Sequence, residues 1–289
     1  MHPVRLNRVR LHIGEVLLMK LWILSENTAA APTFGCEHGL SILAECRGRK
    51  ILFDAGASGL FAENAARMGL SLAEVGDAVL SHGHADHGGG LPVFLTLNRT
   101  APVWMQRRAL EPHFSNRPSG LAFIGLPPLP AERLRLLDGD AQLWEGARTL
   151  SHVEGKVLWP LYNRTLLMEG EGGPVPDDFA HEQHLLLEEN GVRVLLAGCC
   201  HCGIVNLLQS VLEKTGRLPD AVVGGFHLSS PSSGQSEPPE RIDAVADALA
   251  AAPCRYYTGH CTGGAAFARL KERLGDRLEA VSAGICLQF

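Results

Sequence analysis

The chain has 289 residues, a formal net charge of -5 and 46% hydrophobic residues, enough to bury a full core. It carries no run of Lys/Arg, which argues against a nucleic-acid backbone or an anionic membrane surface as main partner and favours a small-molecule substrate. The eight cysteines lack the spacing of a small secreted framework, and three crowd into GCCHC at 198–202, so they read as reduced thiols of a cytoplasmic protein.

In chain order, residues 1–18 are basic and then apolar. Glu15 and Lys20 interrupt a run that a secretory signal would keep intact. Residues 1–18 therefore read as an extension and 19–289 as one domain, opening with MKLWILSEN as an edge strand; no stretch approaches a membrane span. SILAEC (41–46) and KILFDAG (50–56) form a hairpin around RGR. SGLFAENAARMGL carries a helical stripe at Leu60, Phe61, Ala65 and Met68, and VGDAVL is a strand running straight into SHGHADHGGG (81–90). Residues 100–135, with MQRRALEPHFSNRPSG and GLPPLP, read as an excursion from the core, a lid.

The second half repeats a rhythm of strand, polar loop and helix. HLLLEENGVRVLLAGCCHCGIVNLLQSVLEKTG is strand, turn at Asn190-Gly191, strand, loop and helix. DAVVGGFHL, the mobile Ser/Pro-rich 229–240, ERIDAVADALAAA, CRYYTGHCTGG, AAFARLKERLG and a terminal strand EAVSAGICLQF follow. His201, His227 and His260 each fall just after a strand, where open α/β structures place ligands.

Residues two apart in an extended loop point the same way, so His82 and His84 can address one point. Asp86 and His87, after a short bend, can address a second. Imidazole and carboxylate are ligands for zinc and other divalent metals, and the glycines that follow let the chain turn sharply beside them. A surface His-rich loop that binds metal adventitiously is the alternative; histidines recurring at later strand ends weigh against it.

His-x-His-x-Asp-His after an apolar strand, Asp54 in ILFDAG upstream and the later strand-end histidines resemble the metallo-β-lactamase superfamily. The resemblance implies an α/β fold, a four-layer αββα sandwich with the metal site at the sheet edge. It implies two divalent metal ions, zinc foremost, with manganese, iron or magnesium also open. His82, His84 and His201 would hold one ion and Asp86, His87 and His260 the other. Asp54 would orient the ligand loop, unless it is simply a turn aspartate before Gly56. Where many members have Gly-Asp, this chain has Gly198-Cys199. Cys199 then either ligates as a thiolate or is a small buried hydrophobe, with the bridge left to water.

GCCHCGIVN (198–206), GGFHL (224–228), GHCTGG (259–264) and EHGLS (37–41) resemble one branch of that superfamily, the 7,8-dihydropterin-6-methyl-4-(β-D-ribofuranosyl)aminobenzene-5'-phosphate synthases. This implies a transferase that condenses a dihydropterin-methyl diphosphate with ribofuranosyl-aminobenzene phosphate, releasing pyrophosphate, in methanopterin-type cofactor biosynthesis. Asp86 and His227 are then the expected catalytic groups, with His227 taking a proton or binding a phosphate oxygen; its alternative is a core histidine. Glu37 and His38 are expected near the substrate, or else as a surface loop pair. Arg107, Arg108 and His113 are expected to clamp phosphate, or else to lie on a solvated helix face. His181 and His184 receive no role. Two other function classes remain open: a metal-dependent hydrolase of an ester, lactone or phosphodiester, and a metal- or redox-responsive binding protein using the thiols at 199–202.

Overall fold

The structure, a computed structural model, describes residues 18–230 and 232–289, so the expected extension at 1–18 lies almost wholly outside the described residues. The chain opens with β1 (Lys20–Ser25), β2 (Ser41–Cys46) and β3 (Arg49–Phe53). The last two form a hairpin whose loop is only Arg47-Gly48, both at positive φ, as a two-residue turn between twisted strands requires. Then come α1 (Leu60–Arg67), β4 (Asp77–Val79), α2 (Ala85–Gly88), α3 (Leu91–Leu97), β5 (Val103–Gln106), β6 (His113–Arg117), β7 (Gly120–Phe123) and β8 (Leu134–Leu137). The second half holds β9 (Ala141–Trp144), β10 (Ala147–Ser151), β11 (Leu166–Gly170), β12 (Gly173–Pro176), β13 (Gln183–Glu189) and β14 (Val192–Leu196). It closes with α4 (Ile204–Thr215), β15 (Ala221–Gly224), α5 (Pro239–Ala251), β16 (Arg255–Thr258), α6 (Gly264–Leu274), β17 (Leu278–Ala280) and β18 (Cys286–Gln288).

Two seven-stranded sheets result, ordered β18-β1-β2-β3-β4-β5-β8 and β17-β16-β15-β14-β13-β10-β9. Both faces of each sheet are apolar because successive side chains alternate. Ile42 and Ala44 face the other sheet while Leu43 faces α1 and α3. Leu185 and Leu187 meet the first sheet while Leu186 joins the core beneath α4, α5 and α6. Three hydrophobic cores thus separate four layers, helix, sheet, sheet and helix, which is the αββα sandwich expected. Each fully buried Leu contributes roughly 1.5–3 kcal/mol to this packing.

Three readings of the sequence need correction. β1 is not an edge strand, because β18 pairs antiparallel along its outer side. EAVSAGICLQF is not one strand: β17 ends the second sheet and β18 ends the first, the chain crossing between them through a turn with Gly284 at φ 94°. Residues 100–135 are not wholly an excursion, since β5 and β8 are paired strands of the first sheet. Only the stretch between them leaves it, where β6 and β7 join β11 and β12 in a four-stranded sheet that the sequence did not announce. Among the described residues no helix is long and apolar enough to cross a membrane.

β3, β4 and β5 run parallel in the first sheet, as β14 to β17 do in the second. The loops leaving β3 and β4 therefore meet those leaving β14, β15 and β16 at one edge of the sandwich, where the histidines gather.

Candidate metal centre

The loop after β4 is tied to the end of β3 by one carboxylate. Asp54, at φ 58°, accepts the Ser81 N–H and the Ser81 hydroxyl, each at 2.7 Å, and the His87 Nδ1–H at 2.7 Å. It is buried and ties the loop to the end of β3. Close approach of the second sheet to this loop depends on glycine, since a Cβ at Gly198 would collide with Ser81 Oγ; within the second sheet, one at Gly224 would collide with the Ala197 carbonyl.

Four of the imidazoles have Nδ1 committed to an acceptor, which fixes their tautomer. Ser81 Oγ, its own proton given to Asp54, accepts from His82 Nδ1 at 2.8 Å. Asn163 Oδ1 accepts from His201 Nδ1 at 2.9 Å, and its amide nitrogen donates to the His201 carbonyl. Asn27 Oδ1 accepts from His260 Nδ1 at 3.0 Å, and His87 is held by Asp54. Every one of the four then presents an Nε2 lone pair to the same interior.

For His82 and His201 nothing in the protein receives that lone pair. Buried Nε2 atoms of His82, His84 and His201 have no hydrogen-bond partner. His87 Nε2 and His260 Nε2 lie 3.1 Å apart, with the Cys199 sulfur 3.2 and 3.3 Å from them. Two lone pairs at that separation repel unless a cation lies between them. Burial, reinforced by neighbouring imidazoles, holds His82, His84 and His201 well below their ordinary pKa, in the neutral form that ligates. This chemistry fits divalent metal ions.

The donor atoms form overlapping groups. His82, Cys199 and His201 lie within 4.8 Å of one another, as do Asp86, His87, Cys199 and His260. Cys199 is common to both, at the junction where the superfamily's aspartate is expected. Burial pushes its thiol pKa well up, so service as a thiolate requires a cation's charge beside it. Asp86 faces His260 Nε2 at 3.4 Å and His87 Nε2 at 3.7 Å.

A cavity of about 270 Å³ opens onto this cluster. His227 lines it, buried, with both ring nitrogens unpartnered and its ring 4.2 Å from that of His201. His38 lines it too, stacked on His260 at 4.7 Å and 3.3 Å from Asp86. Its neighbour does not. The Glu37 carboxylate accepts from the Ala57 and Ser58 amides and the Ser25 and Ser58 hydroxyls, fixing the turn after β3 rather than meeting substrate.

The expected phosphate clamp is also displaced. Arg107 pairs with Asp138, and Arg108 with Glu111 and Asp178; neither lines the cavity. His113 is buried, with Nδ1 3.1 Å from Asp177, whose same oxygen takes His181 Nε2 at 3.1 Å. His181 Nδ1 in turn accepts the Gly83 N–H at 2.9 Å, so this network braces the ligand loop between His82 and His84. His184 packs against Cys202 at 3.5 Å. Sequence reasoning missed Asn27, Asn163, Asp177 and Glu182, whose carboxylate accepts the His201 and Cys202 amides at 2.6 and 2.8 Å. An isolated Asn or Glu has no local signature when its partner lies tens of residues away. Cys200 and Cys202, expected as responsive thiols, are 3.9 Å apart but belong to the helix-side core.

Over 302 aligned positions the chain is 27% identical to the Methanocaldococcus jannaschii protein named 7,8-dihydropterin-6-methyl-4-(beta-D-ribofuranosyl)-aminobenzene-5'-phosphate synthase, covering 96% of this chain and 99% of that one. It is 25% identical to an uncharacterized protein of the same organism, over 86% of this chain and 93% of the other. Among solved structures it resembles Tm1679, described as a metal-dependent hydrolase of the beta-lactamase superfamily, with TM-score 0.77 and 27% identity over 94% of this chain and 99% of that one. The Zn(2+)-bound PqqB from Methylobacterium extorquens shares the fold at TM-score 0.53 and 16% identity, over 93% and 100% of the two chains. The family description Metallo-beta-lactamase superfamily matches residues 34–201, and the chain belongs to that superfamily.

Proposed function

We propose that the protein is a metal-dependent transferase that condenses a dihydropterin-methyl diphosphate with ribofuranosyl-aminobenzene phosphate and releases pyrophosphate, in the cytoplasm, for a methanopterin-type cofactor. The observation that carries this reading is the match along almost the full length of both chains to the relative named for that synthesis. Cys199, His201 and His227 also line one cavity, with His260 beside Cys199. The eight cysteines are all free, which suits a reducing compartment.

His82, His84 and His201 would hold one divalent ion and Asp86, His87 and His260 a second, with Cys199 between them. Two such ions, when bound, supply Lewis-acid neutralisation of the charge gathering on a diphosphate leaving group. A donor set of imidazole, carboxylate and thiol favours zinc over magnesium.

In the reaction the methylene C–O bond breaks, its electron pair leaves with pyrophosphate, and a C–C or C–N bond forms to the aryl substrate. The nucleophile's proton must be taken up. His227 would take it: its ring lines the cavity, and neither ring nitrogen is hydrogen-bonded within the protein. His38, held on Asp86 and His260, orients the substrate from the opposite loop. Partial enclosure by these walls limits access of water to the reacting methylene.

Pyrophosphate release by metal-loaded protein tests the proposal. Release that requires both substrates is the expected result. Release from the diphosphate alone would favour instead the hydrolase reading, which the likeness to Tm1679 keeps in view. No release with either substrate would remove the pterin assignment.

A further inference from the structure

The small sheet contributes more to the cavity than a wall. Strand alternation puts His113, Ser115 and Arg117 of β6 on one face. His113 abuts His84 at the metal cluster, with ring centroids 5.6 Å apart. Arg117 stands four residues further along, about 13 Å at the rise of an extended strand. Ser115 and Arg117 both line the cavity. So does Leu166, which pairs with Ser115 across β6 and β11 and so shares its face, together with Thr165.

Arg117 differs from the arginines expected to bind phosphate. Those two are neutralised by Asp138, Glu111 and Asp178. Arg117 forms no ion pair among the described residues, and no carboxylate other than Asp86 lines the cavity with it. A cation left unpaired at one end of a cavity whose other end gathers metal ligands fits a substrate with a phosphate remote from its reacting end.

We infer that Arg117, assisted by the Ser115 hydroxyl, anchors the terminal phosphate of an aryl sugar phosphate whose ring lies over Leu166 and whose reactive end faces the metal cluster. A benzene ring, a pentose and a phosphate laid end to end suit the span along β6. The inference rests on the proposed reaction only for the identity of the ring; the phosphate anchor stands on the cavity alone. Arg117 is a specificity-determining residue here, since it touches the substrate far from the bond that forms.

The test compares phenyl ribofuranoside 5-phosphate with phenyl ribofuranoside by calorimetric titration of the zinc-loaded protein. The wild-type protein should favour the phosphorylated ligand, and Arg117→Ala should weaken that ligand about 10- to 100-fold while leaving the unphosphorylated one unchanged. Arg117→Lys should restore part of the loss, and Ser115→Ala should cost less, about fivefold. A merely structural role would lower both affinities together. No preference for the phosphorylated ligand in the wild type, or a preference untouched by Arg117→Ala at full metal content, overturns the inference. Failure of pyrophosphate release to require both substrates leaves it standing, because binding of these ligands needs no turnover.

Discussion

The two large sheets build one cluster of candidate metal ligands in opposite ways. The first sheet sends a single loop after β4 carrying His82, His84, Asp86 and His87 within six residues. The second sends loops after β14, β15 and β16, which bring Cys199 with His201, then His227, then His260. Their support differs accordingly. One buried carboxylate, Asp54, ties both ends of the first loop through Ser81 and His87, and His181 braces its middle at the Gly83 N–H. On the other side two of the three imidazoles have an amide each, Asn163 for His201 and Asn27 for His260. Concentrated ligands share a brace and fail together, whereas distributed ligands fail separately.

That contrast orders the expected effects. His84→Ala should cost more than about a hundredfold in metal-dependent turnover, with the fold retained by circular dichroism. Full activity in that variant would defeat the assignment of the loop. His260→Ala should remove about half of the bound metal by elemental analysis and spare the rest, because His260 itself is proposed to serve only one of the two ions. Loss of all metal would mean that the distributed half is as coupled as the concentrated one.

Asp54→Asn should weaken metal binding about 10- to 100-fold at both positions, read by competition with a chromophoric chelator. Asn163→Ala should weaken only the ion held by His201, by about tenfold at most. Equal losses at both positions in the two variants would erase the distinction.

The smallest effect concerns stability in acid. Burial, with the Lys214 charge second, lowers the His184 pKa from 6.5 to about 3. Between those values the unfolded chain binds a proton that the folded chain refuses, so the stabilisation is fully present above 6.5 and is lost as pH falls towards 3. His184→Gln should flatten this part of a melting-temperature profile. An unchanged acid limb would place the acid sensitivity of the second sheet elsewhere.

The same contrast explains what was legible beforehand. HGHADH is readable because four donor side chains within six residues already resemble a ligand set. His201, His227 and His260 were found only through the repeated rhythm of strand and loop. The sheet of β6, β7, β11 and β12 had no such rhythm: its strands are four or five residues long, and β6 pairs with β11 some fifty positions away. Arg107 and Arg108 looked like the phosphate ligands because the local pattern showed cations near a histidine. Glu111 lies only three residues from Arg108, but the other acids that neutralise them, Asp138 and Asp178, lie 31 and 70 residues further along. The resemblance of EHGLS placed Glu37 and His38 together near the chemistry, but adjacent residues of an extended segment point apart, and only His38 reached the cavity.

The pairing of β18 with β1 has a consequence for biogenesis. During synthesis the outer side of β1 remains an open row of amides and carbonyls until residues 286–288 emerge, although its other side can pair with β2 early. A nascent chain paused after β17 would expose that edge to other chains, and a chaperone that shields extended segments would act there, before closure by the strand that arrives last.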